Sequence, residues 1–216
     1  METVGILGGT GPAGRGVALR LASAGYHVVL GSREASRASD VASSLEAELG
    51  GEITGSTNEA AAMCDLVVVA TPWDSTIGTV TALREQLAGK IVISMVNSLA
   101  REGREMVPLY PPRGSMAAQL AFTLASSRVV GAFHHLPAAQ MQDLDSGIEA
   151  DVLIFSDDAH ALEHVVDVVS AMPGLRAVAA GSMSLASAIE AFTAVCISVN
   201  IRHKAHSYVK LAGLDE

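Results

Sequence analysis

The sequence has few cysteines and few aromatic residues, and both shortages narrow the kind of protein it can encode. Cys64 and Cys196 are the only cysteines among 216 residues, which is too few for a disulfide framework and favours a reducing cytoplasm. Phe, Trp and Tyr together make up 4% of the chain, whereas hydrophobic residues reach 50%. The core must therefore be aliphatic, as is typical of a parallel sheet buried between helices.

Basic residues and long apolar runs are also scarce. Lys and Arg number 14 against 23 Asp and Glu, for a formal net charge of −9. An acidic surface repels phosphate backbones, so we expect no nucleic-acid partner. The chain has no run of about 18 apolar residues, so we expect no membrane span. Its N-terminus has no basic stretch before an apolar one, so we expect no signal peptide either.

What is present is an alternation of short apolar strands and helices. We expect strands at 3–7, 26–30, 52–54, 66–70, 91–95, 128–133, 152–155 and 175–179. We expect helices at 12–24, 34–49, 58–63, 115–125, 159–172 and 182–205. This alternation predicts an α/β fold with a Rossmann-type doubly wound parallel sheet.

Two further expectations concern the organisation of the chain. A soft boundary near Pro137 divides a dinucleotide-binding domain at 1–136 from a smaller C-terminal α/β domain at 137–216, which ends in the long helix. Residues 97–114 contain three prolines and are expected to be the longest irregular stretch. Long loops in compact domains are often functional.

The first predicted turn fits the pattern G-x-G-x-x-G with the residues Gly9-Thr10-Gly11-Pro12-Ala13-Gly14. It follows a strand and opens a helix within a β-α-β unit of about 30 residues, which is the context that this motif requires. Gly9 is expected to permit a tight turn, Gly11 to let the backbone approach a pyrophosphate, and Gly14 to let helix and strand pack closely. The helix N-terminus would direct N–H groups at the phosphates. A glycine-rich turn without a ligand is the alternative.

The end of the second strand predicts NADP rather than NAD. An NAD site usually has Asp or Glu about 20 residues after the glycines, where it bonds a ribose hydroxyl, but this sequence has Gly31 there. Ser32 then offers a hydroxyl, and Arg33 and Arg37 offer guanidinium groups. Guanidinium binds phosphate through paired, charge-assisted hydrogen bonds, so these residues are candidates for holding a 2′-phosphate. The alternative is that both arginines lie on a solvated face.

Three further strand ends carry candidate residues, because ligands of open parallel sheets lie beyond the carboxyl ends of the strands. Pro72 and Trp73 follow the fourth strand, and Trp73 could form a wall of a cofactor cleft or pack as a core or interface aromatic. Asn97 ends the fifth strand and could hold a carboxamide or ribose, or be a turn residue. His134 and His135 follow the sixth strand and could act as proton donors. No Cys or carboxylate lies at ligand spacing around them, so we predict no metal.

A conventional catalytic acid or base is not evident. No Ser-x-x-x-Tyr-x-x-x-Lys helix is present, so the two histidines are the only candidates that we name. If a hydride passes between two redox cofactors, the protein need only stack the rings and exclude water.

Several short motifs span nearly the whole chain: Gly8 to Arg20, Gly31-Ser32-Arg33, Thr71-Pro72-Trp73, Pro112-Arg113-Gly114-Ser115, Val129 to His134, Leu136-Pro137-Ala138-Ala139 and Pro173-Gly174-Leu175-Arg176. Together they resemble the F420-dependent NADP reductases. The resemblance implies hydride exchange between NADP(H) and the deazaflavin coenzyme F420 in a homodimer. The polar pair Asn97-Ser98 and the charged tail at 202–216 depart from the family pattern, and both could touch the deazaflavin side.

The resemblance also implies roles for individual residues. The pyrophosphate would be held by Thr10, Gly11, Pro12 and Ala13, and the 2′-phosphate by Ser32, Arg33 and Arg37. The nicotinamide side would be lined by Asn97, Leu136 and Ala138. The deazaflavin ring would stack over the nicotinamide, in the cleft toward the C-terminal part of the chain.

Two other functions stay open from the residues alone. One is an NADPH-dependent reductase of a small imine, ketone or ferric chelate on the same scaffold, and the other is a non-enzymatic NADP-sensing module. The last predicted helix is apolar on more than one face, with Phe192, Val195 and Val199 on the second. Such a helix predicts a subunit interface, with ordinary core packing as the alternative.

Overall fold

The computed structural model describes residues 2–49, 52–145 and 147–214. Its strands are β1 (Thr3–Leu7), β2 (His27–Ser32), β3 (Ile53–Thr57), β4 (Leu66–Val69), β5 (Ile91–Ser94), β6 (Leu99–Glu102), β7 (Glu105–Pro108), β8 (Arg128–Gly131), β9 (Ala150–Phe155) and β10 (Leu175–Gly181). Its helices are α1 (Pro12–Ser23), α2 (Ala35–Leu49), α3 (Asn58–Ala61), α4 (Trp73–Ala82), α5 (Arg84–Leu87), α6 (Met116–Thr123), α7 (Ala138–Gln142), α8 (Ala159–Ser170) and α9 (Ala186–His203). A short 3₁₀ turn, Met183–Leu185, precedes α9.

One eight-stranded sheet organises the described residues, in the order β10-β9-β8-β5-β4-β1-β2-β3. Neighbouring strands are parallel except β8 and β9, which are antiparallel and pair through Gly131 and Phe155. The predicted Rossmann-type doubly wound sheet is therefore confirmed, with its last two strands reversed. β9 and β10 follow Pro137 in the sequence and extend the same sheet. The domain boundary near Pro137 stays a prediction.

The aliphatic core covers both faces of the sheet. Along β1, Ile6 packs with the layer that contains α1 and α2, whereas Leu7 packs with the layer that contains α4 and α6. Successive side chains of a strand point to opposite faces, so a strand buried on both sides must be continuously apolar. Leu-Val-Val-Val in β4, buried at every position, meets that requirement.

The stretch at 97–114 is not irregular throughout, so that expectation was wrong. Residues 99–108 form an antiparallel hairpin, β6 and β7, whose turn contains Gly103 with φ of +59°. The hairpin packs on α9, where the Oγ of Ser198 accepts the N–H of Met106 at 2.8 Å. Ser198 lies 92 residues from Met106, so the local sequence pattern does not contain this contact.

Helix α9 is long and only partly covered. By length and composition alone, Met183–His203 could cross a membrane, but the core helix of a soluble protein passes the same test. Phe192, Val195 and Val199 are 47%, 52% and 40% exposed, whereas Glu190 and Thr193 on the opposite side are buried. The helix therefore has one face packed on the sheet domain and one apolar face open.

Candidate active site

The glycine-rich turn between β1 and α1 owes its shape to several close backbone approaches. Its left-handed residue is Gly8, with φ of +68°, rather than Gly9, to which we assigned the tight turn. Gly9 is instead confined, because its N–H bonds the carbonyls of Ile6 and Gly31, and a Cβ there would lie 2.8 Å from Leu30 Cδ2. A Cβ at Gly14 would lie 2.8 Å from the Cα of Gly9, so helix and strand pack as the motif predicts.

The N-terminus of α1 is open on the side where a ligand would approach. A Cβ at Gly11 would meet only the carbonyl of Gly8, at 3.7 Å. The N-cap residue is Gly11, no side chain in the described part of the chain caps this end, and Pro12 in the first turn has no N–H. Arg15 Nε donates to the carbonyl of Thr10 at 2.9 Å and so fixes the turn from within. The remaining N–H groups and the positive end of the helix dipole are suited to an anion.

Asn58, the first residue of α3, supports this turn and was missed in the sequence. Its Oδ1 accepts the N–H of Gly8 at 3.1 Å. The same oxygen would lie 2.7 Å from a Cβ at Gly31. A side chain at Gly31, including the carboxylate common in NAD sites, therefore has no room. The helix start at residue 58 was predicted, but nothing in the local sequence indicated this contact across the sheet.

The end of β2 presents the residues expected to bind a 2′-phosphate. Ser32 is buried, and its Oγ accepts the N–H of Glu34 at 3.3 Å. Arg33 and Arg37 are exposed, and within the described residues neither has an ion pair or side-chain hydrogen bond. Both guanidinium groups are therefore available to an anionic ligand.

A cleft of about 260 Å³ lies between the strand ends and α9. It brings together Asn97, Leu136 and Ala138 with Ala13 of the glycine turn, and α9 closes its other side with Thr193, Cys196 and Ile197. Pro72 and Trp73 do not line it: they begin α4, where Trp73 is 40% exposed. The structure thus joins the predicted nicotinamide residues to the glycine turn and leaves Trp73 outside the cleft.

The side chain of Asn97 is engaged in holding the cleft together. Its Nδ2 donates to the carbonyl of His134 at 3.0 Å. The hydroxyl of Thr193 lies 3.1 Å from both that carbonyl and Asn97 Oδ1, so its single proton can serve either acceptor. Phe133, just before His134, has φ of +65°, a left-handed conformation that is strained for an aromatic residue. Thr193 is a second residue that sequence reasoning missed.

The two adjacent histidines are both buried, but they differ in their hydrogen bonds. The side chain of His134 is fully buried, and burial lowers its pKa to about 3. His135 lies 2.7 Å through Nε2 from the carbonyl of Ile189, so Nε2 carries the proton and Nδ1 is the unprotonated nitrogen. Burial lowers the pKa of His135 as well. Both imidazoles are therefore neutral at neutral pH, and no group of three or more His, Cys, Asp or Glu in the described part of the chain could hold a metal.

This fold and this glycine turn define a dinucleotide-binding protein of the Rossmann type. A family model described as "NADP oxidoreductase coenzyme F420-dependent" matches residues 3–98. The F420-dependent NADP reductase of Methanocaldococcus jannaschii is 35% identical over 209 residues, 93% of each chain. That of Methanothermobacter thermautotrophicus is 31% identical over 225 residues, 99% of this chain and 96% of the relative. The chain belongs to the family of F420-dependent NADP reductases.

A solved structure has the same architecture over nearly the full length. It is a protein from Arthrobacter sp. FB24, named only provisionally as an F420-dependent NADP reductase. The two superimpose with a TM-score of 0.82 at 25% identity, over 96% of this chain and 97% of the other. The reversed β9 and β10 and the long α9 are thus parts of a fold that matches along its whole length.

Proposed function

We propose that this protein transfers a hydride between NADP(H) and the deazaflavin coenzyme F420. The observation that carries the proposal is the continuity of the site. Ala13 belongs both to the open N-terminus of α1 and to the lining of the 260 Å³ cleft. A dinucleotide with its pyrophosphate at the turn would therefore place one end at the unpaired arginines and the other in the cleft.

The residues present fit NADP at each point. The pyrophosphate would lie against residues 9–14, where Gly11 leaves open space and the helix N-terminus is uncapped. The 2′-phosphate would be bound by Ser32, Arg33 and Arg37, with no carboxylate at Gly31 to repel it. The nicotinamide would lie beside Asn97, Leu136 and Ala138. Pro72 and Trp73 would contact the cofactor only from the rim, since they lie outside the cleft.

Hydride transfer between two coenzymes requires mainly that the protein bind and orient them. When bound, the two coenzymes would supply the hydride donor and the hydride acceptor, and the one proton that balances the reaction could exchange with solvent, so no side chain would have to act as an acid or a base. Asn97 and Thr193 fix the strand end that carries His134, and the apolar side chains of Leu136 and Ile197, which line the cleft, would exclude water once the coenzymes are bound. The neutral, buried state of both histidines agrees with a site that performs no acid–base step.

The proposal also assigns a role to each part of the chain and an oligomeric state to the protein. Residues 1–136 would bind NADP, and residues 137–216 would complete the F420 side and form the interface of a homodimer. A groove of about 630 Å³ between the hairpin and α9 is lined by Tyr110, Phe192, Val195 and Val199. Exposed apolar surface of this kind marks subunit contacts, and a second copy of α9 offers a matching apolar face. We expect the enzyme to work in the cytoplasm.

The direct test is to mix the purified protein with NADPH and F420 and follow the visible absorbance band of F420. Bleaching of the band with NADPH, and much slower bleaching with NADH, supports the proposal. Oxidation of NADPH only by imines, ketones or ferric chelates would favour a reductase of those substrates. Tight NADP binding without turnover of any acceptor would favour a sensing module.

A further inference from the structure

The carboxyl of Glu190 is buried in α9 without a cationic partner among the described residues. The residue is 5% exposed. Its Oε2 accepts the N–H of Met116 at 2.7 Å, and its Oε1 accepts the N–H of Ala117 at 2.8 Å. Ser115 Oγ accepts the next free N–H, that of Ala118, at 3.0 Å. A side chain from α9 thus completes the N-terminal cap of α6, whose positive dipole end favours a carboxylate.

The same carboxyl faces the imidazole of His134. Oε1 of Glu190 lies 3.9 Å from Nε2 of His134. Both ring nitrogens of His134 are buried without a hydrogen-bond partner among the described residues, while the ring stacks on Phe155 with centroids 5.5 Å apart. A buried imidazole with two unsatisfied nitrogens is costly, so the nearby carboxyl is significant. A shift of about 1 Å would bring the two groups within hydrogen-bond distance.

Two neighbouring residues of α9 bond the same segment, which contains His134 and His135. The carbonyl of Ile189 is bonded to His135, and the hydroxyl of Thr193 reaches the carbonyl of His134. We infer that Glu190 is a positioning residue for hydride transfer, because its carboxyl fixes α9 to the N-terminus of α6 beside His134 and thereby holds the wall of the cleft, residues 133–136, in place. This inference deepens the proposed function and rests on it for its kinetic consequences only.

The contact has two possible bonding arrangements, and they differ by one proton. An ionised carboxylate accepts both N–H groups of α6, whereas a protonated one keeps a single acceptor and can donate its O–H to Nε2 of His134. Burial raises the pKa of Glu190 to about 7, and the neutral His134 remains able to accept. The other titratable groups that face this region are His135 and Tyr110, from the segments after β8 and β7. The wall should therefore respond to pH near neutrality.

The first test needs no catalysis. The backbone amide signals of Met116 and Ala117 are followed by ¹H–¹⁵N NMR as the pH is varied. In the wild-type protein both should shift with one midpoint near 7, and in Glu190→Gln neither should. The exposed Glu163→Gln on α8 removes a charge without touching the wall and should keep the wild-type titration. Amides that fail to titrate in the wild type, or that titrate in Glu190→Gln, overturn the inference.

The second test measures the consequence for the reaction. Misplacement of reacting groups by about 1 Å costs up to about 100-fold in rate, so Glu190→Gln should lower kcat about tenfold or more and leave the dissociation constant of NADPH unchanged. The wild-type kcat should rise through pH 7 as the carboxyl ionises, and the variant should lose that rise. An equal loss in NADPH binding, or an unchanged pH profile, contradicts a positioning role.

If Glu190→Gln does not fold, Glu190→Asp replaces it. Its shorter carboxyl reaches one amide at most, so a wild-type kcat in that variant overturns the inference. If the wild type does not turn over F420, the proposed function fails, while the amide titration still decides whether Glu190 is the proton-linked contact.

Discussion

The glycine turn at residues 8–14 is built from one continuous stretch of chain, whereas the wall around His134 is assembled from segments that lie far apart in sequence. In the turn, the close approach that requires Gly14 is to the Cα of Gly9, five residues away, although Leu30 and Thr71 from other strands also confine Gly9 and Gly8. In the wall, Glu190 bonds amides 73 and 74 residues away. The packing of helix on strand inside the turn is therefore specified largely by its own residues, whereas the wall depends entirely on tertiary packing of α9.

If the turn is governed by backbone sterics, the largest effect should come from adding a side chain at Gly14. A Cβ there meets the backbone of Gly9 at 2.8 Å, so Gly14→Val should abolish detectable NADPH binding and cost about 3 kcal/mol of unfolding free energy, measured by urea denaturation. Gly78→Ala in α4 is the control. A Cβ at Gly78 meets nothing within 4 Å, and Ala should stabilise the helix by about 0.5–1 kcal/mol. Normal NADPH affinity in Gly14→Val would refute the steric account.

The wall should differ from the turn in its response to pH. The pKa of Glu190 is raised to about 7 from 4.5, so its contribution to stability is present below pH 4.5 and is lost as the pH rises through 7. The pKa of His134 is lowered to about 3, so its contribution is present above pH 6.5 and is lost on acidification. The two trends oppose each other, and a single variant is needed to separate them.

Glu190→Gln removes the titrating carboxyl and leaves His134 in place, so this variant separates the two contributions to stability. Between pH 5 and 8, the unfolding free energy of the wild type should fall by about 3 kcal/mol relative to that of the variant, because each unit of pKa shift corresponds to about 1.4 kcal/mol. Urea denaturation at several pH values measures the difference. A difference that stays constant with pH would mean that the buried carboxyl keeps one protonation state throughout.

Much of the turn, and little of the wall, could be predicted from the sequence. The spacing of Gly9, Gly11 and Gly14 after an apolar strand contains the information needed for a phosphate-binding turn. Asn58 and Glu190 act through contacts across the sheet or between helices, and nothing in their local sequence specifies those partners. The hairpin at 99–108 was missed for the same reason, since prolines indicated a loop and its partner Ser198 lies in α9.

Cofactor specificity should be governed at the turn and not at the wall. Arg33→Asp removes one unpaired guanidinium and adds a repelling carboxylate, so NADPH should bind about 2 kcal/mol more weakly, which is about 30-fold, while NADH is little affected. Isothermal titration of both nucleotides measures the ratio. Arg84→Asp, at the exposed start of α5, makes the same change away from the site and should leave both affinities as they are. Equal weakening of NADH would end the argument for 2′-phosphate recognition.

The smallest change in NADPH affinity should come from a substitution on the open apolar face of α9. Val195 is 52% exposed and lies in the groove that we assign to a second copy. Val195→Lys should convert the proposed dimer to a monomer in sedimentation velocity, and NADPH affinity should change by no more than about 0.5 kcal/mol. A wild-type monomer would refute the assembly, and loss of NADPH binding in the variant would show that the turn depends on the partner.

The central proposal is that a hydride passes directly from one coenzyme to the other inside a single cleft, and isotope labelling tests it. Two NADPH samples are prepared, each with deuterium on one of the two faces of the nicotinamide ring, and reduced F420 is analysed by mass spectrometry. The account predicts that one sample delivers its deuterium to F420 and the other does not, because the cleft holds the ring in one orientation. Deuterium from neither sample, or from both equally, would contradict it.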